Sequence, residues 1–139
     1  MRKVFVDTSF WFALVCRSDE HHDEARELLG RIEGKALLVT SNFILDESLT
    51  LIARKLGFEV ARSFKEALDQ SQIVEVVRVT EEDEEKAWEL FEQHAPSGAS
   101  FTDCTSFALM ERLGISEALA FDEDFERAGF KCLRPRDVE

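Results

Sequence analysis

The sequence is poor in cysteine, in long apolar runs and in positive charge. Its three cysteines, Cys16, Cys104 and Cys132, are odd in number and far apart, which favours reduced buried thiols over disulfides or a zinc site. No apolar run approaches the roughly 18 to 20 residues that a transmembrane helix needs. The first residues pass directly into an apolar strand pattern without a small-residue cleavage site, which argues against a signal peptide. We therefore expect a cytoplasmic protein without a membrane span.

The shortage of positive charge limits what the protein can bind. It has 17 Lys and Arg against 29 Asp and Glu, which gives a net charge of −12. A surface of that sign repels a polyanion such as RNA unless something inverts the charge locally. Two classes remain: an enzyme whose bound metal ion supplies the positive charge, and a domain whose partner is a basic protein segment.

The apolar pattern of the 139 residues alternates between short strands and helix-length segments. This alternation predicts one α/β domain over residues 1–139, with a mostly parallel sheet of four to five strands covered by helices. The strands are expected at residues 4–6, 36–39, 73–79, 118–121 and 131–133. Helix caps are expected at Ser18, Thr80 and Thr102, and Gly114 is expected to end the last of these helices.

Two aspartates directly follow predicted strands. Asp7 comes after the strand at residues 4–6, and Asp122 comes after the one at residues 118–121. In open parallel sheets, ligands bind at the carboxyl ends of the strands, so these two acids could share one ligand. N-capping of the helix that follows explains each acid equally well.

Two further acids lie on apolar helix faces. Glu47 has Ile44 three residues before it and Leu51 four after, so its carboxylate is expected on a row that faces the interior, where an unpaired charge is costly. Asp103 shares a face with Phe107. For Asp103, a first-turn carboxylate that stabilises the helix dipole is an equally good explanation.

Four acids at one edge of a sheet would repel one another and raise their pKa values unless a divalent cation lay among them. Oxygen ligands favour Mg²⁺ or Mn²⁺. Such an ion activates water for attack on phosphorus and offsets the repulsion between the acids and an RNA backbone. Asp7, Glu47, Asp103 and Asp122 are therefore the candidate metal-binding and catalytic residues.

The order and spacing of these acids resemble the PIN-domain family, in particular the VapC-type toxins of toxin–antitoxin pairs. The resemblance covers the whole chain, and its motifs are Val6-Asp7-Thr8-Ser9, Glu47 in the third helix, Thr102-Asp103, and residues 121–125 followed by Gly129-Phe130. It implies a three-layer α/β/α fold and endoribonuclease activity against structured RNA such as transfer or ribosomal RNA. It also implies a homodimer and inhibition by a cognate antitoxin that inserts a helix and a basic tail.

The resemblance also implies residue roles. Asp7 and Asp103 would be the principal metal ligands, Glu47 and Asp122 would complete the acidic site, and Thr8 or Ser9 would orient a ligand or phosphate. Ala120 departs from the pattern, because relatives often carry Thr or Ser there. Asp124 is a possible substitute ligand, although a first-turn acid of this kind is more often exposed.

The sequence leaves two other functions open. An aspartyl-phosphate phosphatase-like domain also places Asp at strand ends, but here Thr8-Ser9 follows the first Asp instead of the Asp-x-Asp of those enzymes. A non-catalytic PIN-fold module could use the acidic surface to hold a basic protein partner. The densest basic patch, Arg54, Lys55, Arg62 and Lys65, is expected to be a solvated helix surface rather than a guide for RNA.

Overall fold

The computed structural model describes residues 2–139, which form five strands and seven α-helices. In chain order these are β1 Arg2–Val6, α1 Thr8–Val15, α2 His22–Ile32, β2 Ala36–Ser41, α3 Asn42–Leu56, α4 Phe58–Gln70, β3 Val74–Val77, α5 Glu81–His94, α6 Phe101–Leu113, β4 Glu117–Leu119, α7 Asp124–Arg127 and β5 Lys131–Cys132. All strand pairs are parallel, and helices flank the sheet. The predicted α/β class with a three-layer α/β/α arrangement is confirmed.

The strand order β3-β2-β1-β4-β5 determines where a ligand can bind. The chain moves outward from β1 through β2 to β3, then crosses back to place β4 on the other side of β1. Because crossovers between parallel strands are right-handed, the two directions of travel place their helices on opposite faces of the sheet. The loops after β1 and β4 therefore diverge and leave a crevice at the carboxyl edge.

The central strand β1 is buried where it is most apolar. Val4, Phe5 and Val6 are fully buried, as expected for a strand with helices on both faces. Strands β3 and β4 are shorter than predicted, because backbone N–H groups beyond their ends donate to side chains instead of to a neighbouring strand. The N–H of Val79 donates to Asn42 Oδ1 at 2.7 Å, and the N–H of Phe121 donates to Ser9 Oγ at 3.0 Å.

Two of the three predicted helix caps are wrong. Helix α2 begins at His22 rather than after Ser18, because Asp19 Oδ1 accepts from the N–H of His21 at 2.8 Å and closes a turn first. Helix α6 is capped by Ser100 and not by Thr102. Thr80 does cap α5, and Gly114 ends α6 with a φ of +69°, as predicted.

The core lies between the sheet and its helices. Ala25, Leu28 and Ile32 of α2 pack into it, and all three cysteines are buried free thiols, as expected. No helix among residues 2–139 is both long and apolar enough to cross a membrane.

Candidate metal centre

Asp7 lies at the carboxyl end of β1, where it caps α1. Its Oδ2 accepts from the N–H of Ser9 at 3.1 Å and from Ser9 Oγ at 2.7 Å. Ser9 Oγ also accepts from the N–H of Phe121, so one hydroxyl ties Asp7 to the loop after β4. Asp7 Oδ1 is buried and has no hydrogen-bond partner within residues 2–139. The capping interpretation therefore accounts for one oxygen of Asp7 and leaves the other unexplained.

Asp103 and Asp122 are held by their own turns. Asp103 is the third residue of α6, and its Oδ2 accepts from the N–H of Ser100 at 3.0 Å while Ser100 Oγ accepts from the N–H of Asp103. This reciprocal capping box fixes the carboxylate at the start of the helix. Asp122 Oδ1 accepts from the N–H of Asp124 at 3.1 Å. Both acids are thereby presented at the same edge of the sheet as Asp7.

The structure brings these three aspartates together. One carboxylate oxygen from each of Asp7, Asp103 and Asp122 lies within 4.8 Å of the other two. Asp7 is 2% exposed and Asp103 is 8% exposed, whereas Asp122 is half-buried. Residues that are 115 positions apart in the sequence thus form one negatively charged cluster.

Burial and nearby negative charge raise the pKa values of the three aspartates. The pKa of Asp7 is raised well above its usual value, first by burial and then by the charge of Asp122. Burial raises the pKa of Asp103 to about 7, against the lowering effect of the Ser100 N–H. Burial also raises the pKa of Asp122. Three acids that resist ionisation side by side form a site that a cation would stabilise.

Glu47 is not part of this cluster, but it lines the same cavity. Glu47 is half-buried on α3. It was predicted on a helix row that faces the interior, and that row borders a cavity of about 620 Å³. The cavity is lined by Asp7, Thr8, Ser9, Asp46, Glu47, Thr50, Leu51, Arg54, Ser100, Thr102, Asp103 and Asp122. All four predicted acids and both predicted hydroxyl residues therefore lie at one cavity.

The two hydroxyl residues differ in position. Ser9 binds Asp7 directly, as described above. Thr8 is 5% exposed and its Oγ1 accepts from Ser48 Oγ at 3.2 Å, so it also joins α1 to α3. Ala120 is buried in the core, and Asp124 is half-buried with an ion pair to Arg127 at 3.4 Å.

Sequence reasoning did not place three lining residues, Ser100, Thr50 and Arg54, at the cavity. Ser100 holds Asp103, and its signal was the Ser-x-x-Asp capping pattern at residues 100–103. Thr50 and Arg54 follow Glu47 at the three- and seven-residue spacings of one helix face. That spacing was visible in the sequence, but only the fold shows that this face borders the acids.

The donor set fits a hard divalent cation. All three clustered ligand atoms are carboxylate oxygens, which Mg²⁺ and Mn²⁺ prefer. A buried polar atom without a partner is costly, and Asp7 Oδ1 is such an atom beside two other carboxylates. A bound cation would satisfy that oxygen and offset the repulsion.

Comparison with known proteins identifies the family of this chain. The PIN domain family model matches residues 4–131. The 23S rRNA-specific endonuclease VapC20 of Mycobacterium tuberculosis is 42% identical over 132 residues, which cover 95% of this chain and 98% of the relative. A VapC ribonuclease of Archaeoglobus fulgidus is 32% identical over 124 residues, which cover 86% of this chain and 77% of the relative.

Comparison with solved structures also finds VapC-type proteins. The crystal structure of Mycobacterium tuberculosis VapC20, a sarcin-ricin loop cleaving toxin, matches with a TM-score of 0.87 at 42% identity and covers 95% of this chain and 99% of that one. VapBC2 from Rickettsia felis, bound to a DNA fragment from their promoter, matches with a TM-score of 0.71 at 12% identity and covers 94% and 97%. At that identity the second match shows the fold alone.

Proposed function

The chain belongs to the PIN-domain family, in its VapC-type ribonuclease group, and from this premise we propose that it is a divalent-metal-dependent endoribonuclease acting as the toxin of a toxin–antitoxin pair. The observation that carries the proposal is the convergence of Asp7, Asp103 and Asp122, with ligand oxygens within 4.8 Å of one another. Because a relative with 42% identity is a 23S rRNA-specific endonuclease, we propose ribosomal RNA as the substrate.

Asp7, Asp103 and Asp122 would hold Mg²⁺ or Mn²⁺, with Glu47 completing the acidic site. When bound, such an ion supplies Lewis acidity and offsets the negative charge of the phosphodiester. Ser9 and Ser100 orient the carboxylates of Asp7 and Asp103 through the hydrogen bonds described above. This pre-arrangement means that the ligands need not reorganise when the substrate arrives.

We propose Glu47 as the residue that accepts a proton. It lines the cavity outside the three-aspartate cluster, and it is more exposed than Asp7 or Asp103. In hydrolysis the oxygen of a water molecule bonds to phosphorus, its proton passes to the Glu47 carboxylate, and the bond to the leaving ribose oxygen breaks. The leaving oxygen then takes up a proton from solvent.

Cleavage of a 23S rRNA stem-loop by the purified protein tests the function. We expect cleavage with Mn²⁺ or Mg²⁺, complete loss with a chelator, and loss of about 100-fold or more in the Asp103→Asn variant. Glu85→Gln, a change at an exposed acid of α5, serves as the control and should cleave like wild type. Equal cleavage by wild type and Asp103→Asn would show that the acidic site does not cleave RNA, and would favour a non-catalytic binding module. Release of phosphate from small esters would instead indicate a phosphatase-like domain.

The antitoxin is the second partner that we propose. An apolar cavity of about 350 Å³ lies between α1, α2 and α4, and Trp11, Leu14, Val60 and Phe64 are among its lining residues. An amphipathic helix buries its apolar face in a groove of this kind. A basic tail beyond that helix would bind the acidic cavity. The family also leads us to propose a homodimer, which sedimentation measurements test directly.

A further inference from the structure

Asp122 lies in a longer loop than the other two clustered aspartates. Asp7 is the one residue between β1 and α1, and Asp103 lies within α6, whereas residues 120–123 belong to no strand or helix. The hydrogen bond from the N–H of Asp124 to Asp122 Oδ1 is made within the same segment, so it moves with the loop. Loops are the more mobile parts of a fold. The position of the Asp122 carboxylate therefore depends on what holds this loop from outside.

Phe121, the residue before Asp122, makes the contacts that hold the loop. Its ring stacks on the His21 ring, with ring centres 4.4 Å apart and planes 4° apart. The ring of the buried Phe10 lies 5.9 Å away at 20°, and the guanidinium carbon of Arg134 lies 5.9 Å from the centre of the Phe121 ring. Aromatic stacking and cation–π contacts both favour a defined ring orientation. Three neighbours from outside the loop thus surround this side chain, and His21 is the nearest of them.

The backbone of Phe121 is fixed as well. Its N–H donates to Ser9 Oγ at 3.0 Å, and Ser9 Oγ in turn donates to Asp7 Oδ2 at 2.7 Å. If the loop moved, the first of these hydrogen bonds would break and Ser9 would lose a partner. The loop that carries Asp122 and the carboxylate of Asp7 therefore share one support, and the His21 ring packs on it.

His21 reaches the site through Phe121. It does not line the acidic cavity, and its own backbone is anchored because its N–H donates to Asp19 Oδ1 at 2.8 Å. Its ring nitrogens lie 3.4 Å and 3.9 Å from carboxylate oxygens of Glu20 and Glu24, and contacts of this kind at a protein surface contribute little. Its side chain makes no capping hydrogen bond to α2. The stack on Phe121 is therefore the contact through which this side chain can act on the site.

We propose that His21 is a positioning residue of the metal centre. By stacking on Phe121 it holds the loop after β4, so that a carboxylate oxygen of Asp122 stays within 4.8 Å of those of Asp7 and Asp103. This role rests on the proposed metal-dependent function, and it gives the turn before α2 a part in metal binding. Without the His21 ring, the loop would sample positions in which Asp122 no longer completes the ligand set, and metal affinity would fall.

Calorimetry of Mn²⁺ binding to the intact chain tests this role. We expect His21→Ala and His21→Gln each to raise the Kd for Mn²⁺ by about tenfold, as is usual when a residue that orients a metal ligand is lost. His21→Phe keeps a flat ring for the stack and should stay within about twofold of wild type. The matched control is Trp88→Ala, which removes an exposed aromatic that packs on Phe91 and does not line the acidic cavity. It should also stay within about twofold.

Phe121→Leu removes the other half of the stack and keeps an apolar side chain. It should raise the Kd for Mn²⁺ at least as much as His21→Ala, because the contacts with Phe10 and Arg134 are weakened too. The double variant of His21→Ala and Phe121→Leu should bind no more weakly than Phe121→Leu alone, since both changes remove the same contact. Additive losses would mean that His21 acts on the metal by another route, which would overturn the proposal.

Amide hydrogen exchange reports on the loop without metal. In a chelator, the N–H of Phe121 should exchange about tenfold faster in His21→Ala than in wild type, and at the wild-type rate in His21→Phe. Cleavage separates positioning from chemistry. At saturating Mn²⁺, His21→Ala should cleave RNA within about threefold of the wild-type rate, because the change weakens metal binding and leaves the reacting groups in place. Circular dichroism checks that each variant keeps its fold.

Several results would overturn the role of His21. Unchanged Mn²⁺ affinity and unchanged exchange in His21→Ala would mean that the ring merely covers Phe121. Equal losses in His21→Phe and His21→Ala would mean that an imidazole nitrogen is required and not the stack. If wild type binds Mn²⁺ and cleaves RNA while His21→Ala is unchanged, the positioning role fails alone. If wild type neither binds Mn²⁺ nor cleaves RNA, the proposed function fails and the positioning role fails with it.

Discussion

Asp7 uses its two carboxylate oxygens differently. Oδ2 is held by Ser9 and caps a helix, whereas Oδ1 is buried without a partner among residues 2–139. A residue that only capped α1 would not need its other oxygen buried beside Asp103 and Asp122. The structural and the proposed catalytic roles therefore coexist in one side chain, and substitutions that separate them are informative.

The raised pKa of Asp103 predicts an unusual pH dependence of stability. Its pKa is about 7 in the folded protein against an ordinary value of 3.8, so the folded state binds more protons between these values. Without metal, stability should therefore fall as pH rises from about 4 to 7, by roughly 2 to 4 kcal/mol. Thermal melting in a chelator should give a higher Tm at pH 5 than at pH 8.

Asp103→Asn is the matched test of that pH dependence. The amide cannot ionise, so the difference in Tm between pH 5 and pH 8 should shrink, and the variant should be at least as stable as wild type at pH 8. Adding Mn²⁺ to wild type at pH 8 should raise Tm, because the ion binds the folded state. A Tm many degrees lower for Asp103→Asn in metal-free buffer would instead mean that this acid is a structural cap.

Ser9→Ala tests how Asp7 is oriented. The change removes the hydroxyl that donates to Asp7 Oδ2 and leaves the N–H of Phe121 without its acceptor. We expect Mn²⁺ affinity, measured by calorimetry, to fall by about 10- to 100-fold, as is usual when a hydrogen bond to a metal ligand is lost. Ser116→Ala, at an exposed position, is the control. Unchanged Mn²⁺ affinity in Ser9→Ala would show that Ser9 does not orient Asp7 for metal binding.

At the scale of elements, an ion pair between a buried carboxylate and an exposed guanidinium joins α5 to α6. Arg112 Nε donates to Asp83 Oδ1 at 2.8 Å, and Arg112 Nη2 donates to Asp83 Oδ2 at 2.9 Å. Asp83 is 3% exposed and also closes the capping box with Thr80. The Arg112 hydrogen bond is the main reason that the pKa of Asp83 lies below its usual value. Helix α6 carries Asp103, so this pair helps to fix one wall of the site.

Arg112→Ala should destabilise the protein by about 2 to 3 kcal/mol, because it leaves the buried Asp83 carboxylate without its cation. Since the pKa of Asp83 is depressed, the stability from this pair is present above pH 4 and is lost as pH falls through the lower folded value. Urea unfolding at pH 7 measures the loss. Arg127→Ala removes the pairs that this exposed guanidinium makes with Glu123 and Asp124 and should cost about 1 kcal/mol or less. Equal losses in the two variants would contradict the expectation.

The proposed antitoxin groove makes another prediction about an element. Ala67 is exposed on α4 and lines the apolar cavity between α1, α2 and α4. Ala67→Arg should place a charge in the path of an apolar helix and abolish neutralisation by the antitoxin, while RNA cleavage remains. Gln70→Arg adds the same charge on the same helix outside the cavity and should still be neutralised. Growth on co-expression with the antitoxin distinguishes them.

Most of the elements could be predicted from sequence, whereas their exact ends could not. The run Val4-Phe5-Val6 identified β1, and the resemblance to VapC-type PIN domains is confirmed by the family match. The caps of α2 and α6 were missed because competing polar residues, Asp19 and Ser100, lie within a few positions of the predicted ones. Cap choice depends on tertiary position, which propensity alone does not encode.

The site was only partly accessible to sequence reasoning. Apolar context singled out the four acids among 29, and all four line one cavity. The separation of Glu47 from the three aspartates depends on how α3 lies against α6, and no local pattern fixes that. Arg54 was expected at a solvated surface and is exposed, but its place in the lining of the acidic cavity exists only in the folded chain.

At the scale of the whole molecule, the charge of −12 has opposite effects on the two proposed partners. It repels RNA away from the proposed metal site, and it attracts a basic protein tail. Both partners would use the acidic cavity. Inhibition by the antitoxin tail would then be electrostatic competition for the same carboxylates, which a model peptide can reproduce.

A short lysine-rich peptide should therefore inhibit RNA cleavage in competition with Mn²⁺. Inhibition should be strong at low salt and weaken steeply toward 1 M salt, because the screening length shrinks from about 10 Å at 0.1 M to about 3 Å at 1 M. A glutamine-substituted peptide of equal length is the control and should not inhibit. The test measures cleavage rates while the concentrations of peptide, Mn²⁺ and salt are varied independently. Two results would contradict this expectation: inhibition that does not depend on salt, and inhibition that added Mn²⁺ does not relieve. Either result would show that the peptide does not act on the exposed carboxylates of the cavity.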